Sequence, residues 1–512
     1  MSRYRIDILT TGGLLLIGSF AFVHLMALPA FEDEGSQLRL VWRLIEAQEW
    51  LQPLGDGKPL EAWPMVPLVR LGGEPLAAIR ALHVLVGMMG AVLTYRLGLR
   101  VTDRWTAWMS GALFAICPFV VYLERLALSD ILLCTAGIWV LVSALKLAES
   151  PTWARAAELA LGLVLAAFCK FPVGFVFLIS MPLALALMPA SQRRRLLTEP
   201  HLTRLLATLA PVALLALAVI VVAAVRRQHG QSPGFGLEDL LGIGLGHYQN
   251  IGTGTGGPRP NLLHELTTQL SEPVVVIGLT GLAASAIFGD WRRRWLIAVG
   301  ALPMLVIGYL AQFWYSRYLL FTFPPLIVAA VCGWRSLSLH AGRLRQPFET
   351  GALAVCVLFM VHQSALMIIN PAAANWSPLD RYQYFEGPGS GYGYPEAAKF
   401  VLQARDVPLM IYSLDGHSAY QLRNYLPPEW GSRIRPIIYG DDGRALRSEE
   451  SRLANLLSRT RVWIIISPQL LQRYLDSSFG QRNAEQINMR QIAAFDKPGL
   501  FTQLAIYDVA RR

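Results

Sequence analysis

Apolar residues in this chain come in blocks long enough to cross a bilayer, and that limits what it can fold into more than any other feature. "ILTTGGLLLIGSFAFVHLMAL" (8–28), "TLAPVALLALAVIVVAAV" (208–225) and "GALAVCVLFMVHQSALMII" (351–369) are examples. A helical span needs about 20 mostly apolar residues to cross about 30 Å of hydrocarbon. Composition agrees: of 512 residues, 54% are hydrophobic and 16% charged, whereas a soluble domain carries about 25% charge. The pattern predicts a polytopic α-helical membrane protein with about eleven spans, near 8–29, 76–98, 105–122, 128–147, 155–170, 172–189, 204–225, 272–289, 295–312, 317–334 and 351–369. The opening "MSRYR" and its apolar run resemble a signal peptide, but the run is longer than a signal core and no small-x-small cleavage site follows, so it reads as an uncleaved first span.

A net charge of +10 could indicate a nucleic-acid partner, but its distribution points to membrane topology. Arginines gather in short loops between apolar blocks, as in "QRRRL" (192–196) and "DWRRRW" (290–295), where the positive-inside rule puts them. Arg3 and Arg5, then Arg96, Arg100 and Arg104, Lys146 and Arg155, Arg193 to Arg195 with Arg204, Arg292 to Arg294, and Arg335, Arg343 and Arg345 occupy every second loop. The N-terminus is then cytoplasmic. Residues 30–75, 226–271 and everything after 370 lie on the other side. The second of these contains "GIGLGHYQNIGTGTGGPRP", in which no strand precedes the glycines as a phosphate-binding loop requires, so it reads as a mobile loop of the length common in functional lids. The cysteines (Cys117, Cys134, Cys169, Cys332, Cys356) all fall within apolar blocks, with neither metal-ligand nor disulfide spacing.

The membrane part is expected over 1–370 and a linker over 371–395, which contains "EGPGSGYGYP". An extracytoplasmic α/β domain is expected over 396–512. There "PLMIYSL", "RPIIYG", "RVWIIIS" and "LFTQLAIYDV" read as strands and "PEAAKFVLQA" and "SEESRLANLLSR" as helices. The domain shows no nucleophile elbow, metal cluster or dinucleotide fingerprint, and its expected role is to cover or help bind a substrate.

Charged groups cluster at the expected outer ends of the spans. Asp33 and Glu34 follow the first span; "GDGKPLEAWP" supplies Lys58 and Glu61; "YLERLALSD" supplies Arg125 and Asp130; "CKFPVG" supplies Lys170; "WYSRYLL" supplies Arg317 and Tyr318; and His247 lies in the glycine-rich loop. Singly, each has a plain explanation: an acidic cap on a membrane helix, a snorkelling cation, or a helix N-cap in the case of Asp130. Ionisable groups near hydrocarbon are costly, however, and tend to pair or to line a polar cavity. The expectation is that these acids and cations converge in one pocket.

"EDEG" (32–35), "GKPL" (57–60), "RLALSD" (125–130), "KFP" (170–172) and "SRYLLFTFPPL" (316–326), in this order, resemble the GT-C glycosyltransferases. The nearest branch is the protein O-mannosyltransferase and lipid A aminoarabinose transferase group. The sequence departs from that pattern where Leu60 and Glu61 follow Lys58-Pro59, and where Phe171 intervenes in the Lys–Pro turn. The resemblance implies a GT-C fold, a polyprenyl-phosphate-sugar donor, and inverting transfer to a lipid, glycan or protein acceptor at the outer face of a bacterial cytoplasmic membrane. It implies Asp33 as general base with Glu34 as the alternative. Lys58, Arg125, Lys170, Arg317 and Tyr318 would bind the donor phosphate, and Asp130, Glu61 and His247 would orient groups or meet the acceptor. Membrane lipids are the surroundings, no nucleic acid is expected, and no cofactor is required. The carboxylates leave room for a divalent metal, but no ligand spacing demands one. Three rival readings are a transporter or flippase, which usually carries polar groups at mid-membrane and related halves, a lipid-linked oligosaccharide ligase or polymerase, and a non-enzymatic scaffold.

Overall fold

The structure, a computed structural model, describes residues 3–55, 57–71, 74–171, 173–228, 261–310, 314–340, 345–404, 409–413, 417–436, 460–468, 471–472, 487–499 and 503–511. The chain divides into two compact units: Met1–Leu25 with Leu40–Ser377, and Met26–Arg39 with Pro378–Arg512.

The first unit is a helical bundle around Ser129–Glu149, whose apolar window is 78% buried in protein. This helix packs against Pro75–Gly98 and Trp153–Cys169, and Glu272–Phe288 packs against Phe323–His340. Short polar side chains start many of the helices. Asp103 accepts from the backbone N–H groups of Trp105 and Thr106, Asp290 from Arg293, Thr152 from Arg155 and Asn261 from Leu263 and His264. Helical backbone covers most of the described residues in each of the eleven expected segments. Among the described residues, length and hydropathy together qualify five helices as spans, or six if Leu262–Leu270 and Glu272–Phe288, bent by 115°, count as one. The shortfall from eleven comes from interruptions. Segment 105–122 is split before Pro118, segment 172–189 opens as 3-10 helix over Val173–Ile179, and segment 295–312 ends in the wider turn Val306–Leu310. All five cysteines are free and buried, as expected.

Two arginine-rich clusters form at one end of this bundle. Arg100 and Arg292 both pair with Glu149, at 3.0 and 3.3 Å. Arg335 pairs with Glu349 at 2.9 Å and Asp103 at 3.5 Å, and Arg104 meets Asp7 at 3.4 Å. Arg204 donates to the carbonyl of Pro151, and Arg155 to those of Lys146 and Ser150. Basic segments far apart in the chain are thereby brought together.

The second unit holds a five-stranded sheet of order β2-β1-β3-β5-β4. The strands are β1 (Leu409–Ser413), β2 (Ile434–Pro436), β3 (Arg461–Ile466), β4 (Ile487–Asp496) and β5 (Gln503–Arg511). β1 pairs in parallel with β2 and β3, β5 runs antiparallel between β3 and β4, and a register shift falls between Gln491 and Ala493. Helices Tyr394–Gln403 and His417–Arg423 cover the sheet core around Ile411, Trp430, Trp463 and Ile506. The expected helix "SEESRLANLLSR" lies outside the described residues. β4 was not anticipated, because "INMRQIAAFD" mixes polar and apolar residues on both faces. The segment expected as a linker is also built in. Buried Lys497 donates to the carbonyl of Gly387 and the hydroxyl of Ser390, Gln421 donates to the carbonyl of Gly389, and the Tyr394 hydroxyl bonds that of Ser418.

Two stability outcomes follow. A Cβ on Gly333 would collide with the Gly281 carbonyl oxygen, whereas one on Gly351 meets nothing within 4 Å. Gly333→Ala should therefore cost about 1–3 kcal/mol by overpacking and lower the melting temperature of the detergent-solubilised protein, while Gly351→Ala leaves it unchanged or raised. In the sheet unit, Arg461 grips Asp508 through two hydrogen bonds of 3.0 and 2.9 Å, which hold the Asp508 carboxyl below the usual carboxylate range. A lowered folded pKa means the pair stabilises fully above the unfolded value, about 3.9, and is lost as pH falls through the folded value. The melting deficit of Asp508→Asn, measured by thermal unfolding against pH, should be largest near neutrality and disappear in acid.

Candidate functional site

The end of the first unit opposite the arginine clusters carries a second set of ionisable groups. Asp130 stands in the first turn of Ser129–Glu149 and Glu149 at its last residue, about 30 Å apart at 1.5 Å per residue. The start of this helix lacks a local cap, because Leu128 occupies the N-cap position. Glu61 supplies one from a distant part of the chain, its Oε1 accepting from the Ser129 backbone N–H at 2.9 Å. Glu61 is 1% exposed, and its other oxygen lies 3.5 Å from the Lys58 ammonium.

Lys170 follows the last residue of helix Trp153–Cys169. Two backbone hydrogen bonds fix its turn: Phe171 N–H to the Gly57 carbonyl (2.7 Å) and Gly174 N–H to the Lys170 carbonyl (2.8 Å). The first bond joins "GKP" to "KFP". Gly57 is left-handed, with φ +72°, which glycine adopts without steric cost. The Lys170 ammonium sits 2.8 Å from Asp130 Oδ1 and 4.6 Å from the centroid of the Tyr318 ring. Arg317, also buried, lies over the rings of Tyr315 and Tyr318 at 5.3 and 5.5 Å. Cation–π attraction strengthens as the cation is desolvated.

Lys58, Glu61, Asp130, Lys170, Arg317 and Tyr318, predicted from four separate stretches, thus form one connected cluster. Arg125 is a correction. Its guanidinium is fully buried and spends its N–H bonds on the carbonyls of Val23, His24 and Met367, so it anchors chain segments rather than facing a phosphate. Arg80 does likewise toward Leu25. Glu34 also takes a structural role in the second unit. Helix Glu32–Glu46 begins there, and Glu34 Oε2 accepts from the N–H of Phe31, the residue before the helix, at 2.8 Å. This is the reciprocal half of a capping box. Asp33, one residue earlier, is half-buried on the same first turn. The turns around it are held by Arg39, which donates to the Asn424 side chain and the Tyr420 carbonyl, and by the Tyr425 hydroxyl, which accepts from the Ala30 N–H. His247 lies outside the described residues.

The sequence reading missed Glu265 and Gln269. Gln269 donates to the Ser316 hydroxyl at 2.7 Å, and that hydroxyl donates to Glu265 at 3.3 Å, all three groups being buried. They tie helix Leu262–Leu270 to the turn that carries Arg317. The i, i+4 spacing of Glu265 and Gln269 on a short helix beside a span was the available signal. The same helix turns Leu266 and Leu270 toward an apolar cavity of about 160 Å³, lined also by Val274, Phe323, Ile327 and Met360. Among the described residues, no three His, Cys, Asp or Glu side chains are grouped as metal ligands would be.

Comparison with known proteins bears on the fold. Residues 56–225 match the family described as dolichyl-phosphate-mannose-protein mannosyltransferase. No curated protein matches. ArnT of Cupriavidus metallidurans, solved with undecaprenyl phosphate, aligns over 99% of this chain and 98% of its own, at 13% identity and a TM-score of 0.62. AglB of Archaeoglobus fulgidus, an oligosaccharyltransferase solved with an inhibitory peptide and a dolichol-phosphate, aligns over 96% of this chain and 73% of its own, at 12% identity and a TM-score of 0.60. The chain therefore shares its fold with ArnT and AglB, and about a third of it matches the mannosyltransferase family.

The Lys170–Asp130 pair, a buried carboxylate with a largely buried ammonium, yields a double-mutant test. Removing one partner of a buried pair leaves an uncompensated charge, at about 3–5 kcal/mol. Lys170→Met should lower the melting temperature clearly, and Lys170→Met combined with Asp130→Asn should recover much of the loss in thermal unfolding of the purified protein.

Proposed function

We propose that this GT-C chain transfers a sugar from a polyprenyl-phosphate donor to an acceptor at the outer face of the membrane, with inversion at the anomeric carbon. The observation that carries the reading is the setting of Lys170. Its ammonium has three N–H donors, and among the described residues its one hydrogen-bond acceptor is Asp130. Asp130 and Tyr318 hold it in place, so donors remain for a phosphate oxygen, and Lys58 and Arg317 belong to the same cluster.

In the reaction, the acceptor hydroxyl oxygen bonds to the anomeric carbon as the bond from that carbon to the phosphate oxygen breaks. Negative charge grows on the departing polyprenyl phosphate. Fixed cations in a partly desolvated site stabilise it without having to reorganise. Arg317 can offer paired N–H bonds to phosphate, and Lys170 acts as a point charge. The acceptor proton passes to a base, and the resemblance assigns that role to Asp33. The apolar cavity beside helix Leu262–Leu270 is chemically suited to isoprene units. The bound undecaprenyl phosphate of ArnT and dolichol-phosphate of AglB support the same class of donor.

The assay incubates purified protein with labelled polyprenyl-phosphate sugars and a broad set of lipid, glycan and peptide acceptors, and follows release of polyprenyl phosphate. Lys170→Ala and Arg317→Ala should each lower kcat by about 10²–10³. Asp33→Asn should lower it by about 10²–10⁴ with an unchanged melting temperature. Full activity in Asp33→Asn would remove that residue as base. No release with any common sugar would overturn the donor assignment.

A further inference from the structure

The arginine-rich end of the bundle contains a pocket that sugar transfer at the opposite end does not use. It measures about 170 Å³ and is lined by Glu149, Gln192, Arg195, Trp291 and Arg292 among others. Three chain segments form it: the end of helix Ser129–Glu149 with the turn after it, the short helix Ala190–Leu196, and the start of Trp291–Leu305. Its only carboxylate among the lining residues, Glu149, is already engaged twice, by Arg100 at 3.0 Å and by Arg292 at 3.3 Å. Arg195 lines the same pocket, and its guanidinium has no partner among the described residues. Two guanidinium groups and one carboxylate line the pocket, and that carboxylate is shared with Arg100 beside it, so positive charge is in excess there.

We infer that this pocket binds a phosphate group, held by Arg195 and Arg292. Guanidinium forks match phosphate oxygens in pairs. Gln192 adds a neutral amide at the rim, and the guanidinium of Arg292 lies 5.8 Å from the centroid of the Trp291 ring. The pocket sits at the last residue of a span-length helix beside a tryptophan, which is headgroup depth. Basic pockets at such places hold anionic lipid headgroups. A free phosphate ion would satisfy the same groups.

The test uses the full-length protein in nanodiscs of phosphatidylcholine, with or without phosphatidylglycerol. Lipids retained on release are counted by native mass spectrometry, and melting temperature is followed against inorganic phosphate in the phosphatidylcholine discs. Arg195→Ala is the probe, because its side chain supports no described contact and its loss should not unfold the chain. Arg194→Ala is the control, an exposed neighbour on the same short helix that does not line the pocket. The wild type and Arg194→Ala should retain phosphatidylglycerol in preference to phosphatidylcholine, and Arg195→Ala should weaken that retention about fivefold. Phosphate-dependent stabilisation of the wild type, absent in Arg195→Ala, would instead identify the free ion as the ligand. Equal behaviour of the two variants, or no preference for either probe, would overturn the inference.

Discussion

A single carboxylate does much to organise the bundle. Among the span-length helices of the first unit, Ser129–Glu149 is the most enclosed together with Ser316–Leu339, and its N-cap residue makes no side-chain bond to the backbone N–H groups. In hydrocarbon an unsatisfied N–H costs several kcal/mol. Glu61 meets that need from 68 residues away. This fixes the short helix Pro59–Ala62 against the central one and carries Lys58 with it. Asp130, the next residue along, holds Lys170, whose turn is bonded back to Gly57. Groups that satisfy the backbone here, Glu61 above all, also belong to the charged cluster, so structural and chemical demands coincide in the same few residues.

The two ends of the bundle treat charge differently. At the arginine-rich end, pairs such as Arg335–Glu349 and Lys146–Glu158 are partly exposed, and exposed pairs contribute little stability each. Their value is topological, since they bring loops of like character together. At the other end Glu61, Asp130 and Arg317 are buried, Lys58 and Lys170 keep some exposure, and aromatic faces from Tyr315 and Tyr318 replace part of the water around Lys170 and Arg317. The field there is stronger for each charge, which suits chemistry on an anion.

What was legible in the sequence follows from how local each signal is. The apolar blocks marked the long helices of the bundle, though not short ones such as Leu262–Leu270, because hydrophobicity over about 20 residues needs no tertiary information. Lys58, Asp130 and Lys170 could be picked out because charge at the edge of such a block is expensive wherever it occurs. Arg125 looked equivalent by that criterion, yet its destination, the carbonyls of Val23, His24 and Met367, depends on contacts 101 and 242 residues away that spacing cannot reveal. Glu34 and Asp33 are neighbours in sequence, but helix geometry turns one back to cap its own N-terminus. β4 was hidden for the opposite reason: with a register shift at Gln491 and Ala493, its inward residues do not keep a simple alternation.

Arg125 also bears on the order of assembly. Its three acceptors lie at the exit of the first membrane helix and near the end of the last helix of the bundle. A ribosome delivers Val23 and His24 early and Met367 only after most of the chain has been made. Until then the guanidinium lacks one of its native acceptors, and the outlet of the first helix is incompletely fastened. The final helix thus acts as a clasp, joining the beginning of the bundle to its end once synthesis of the membrane part is complete.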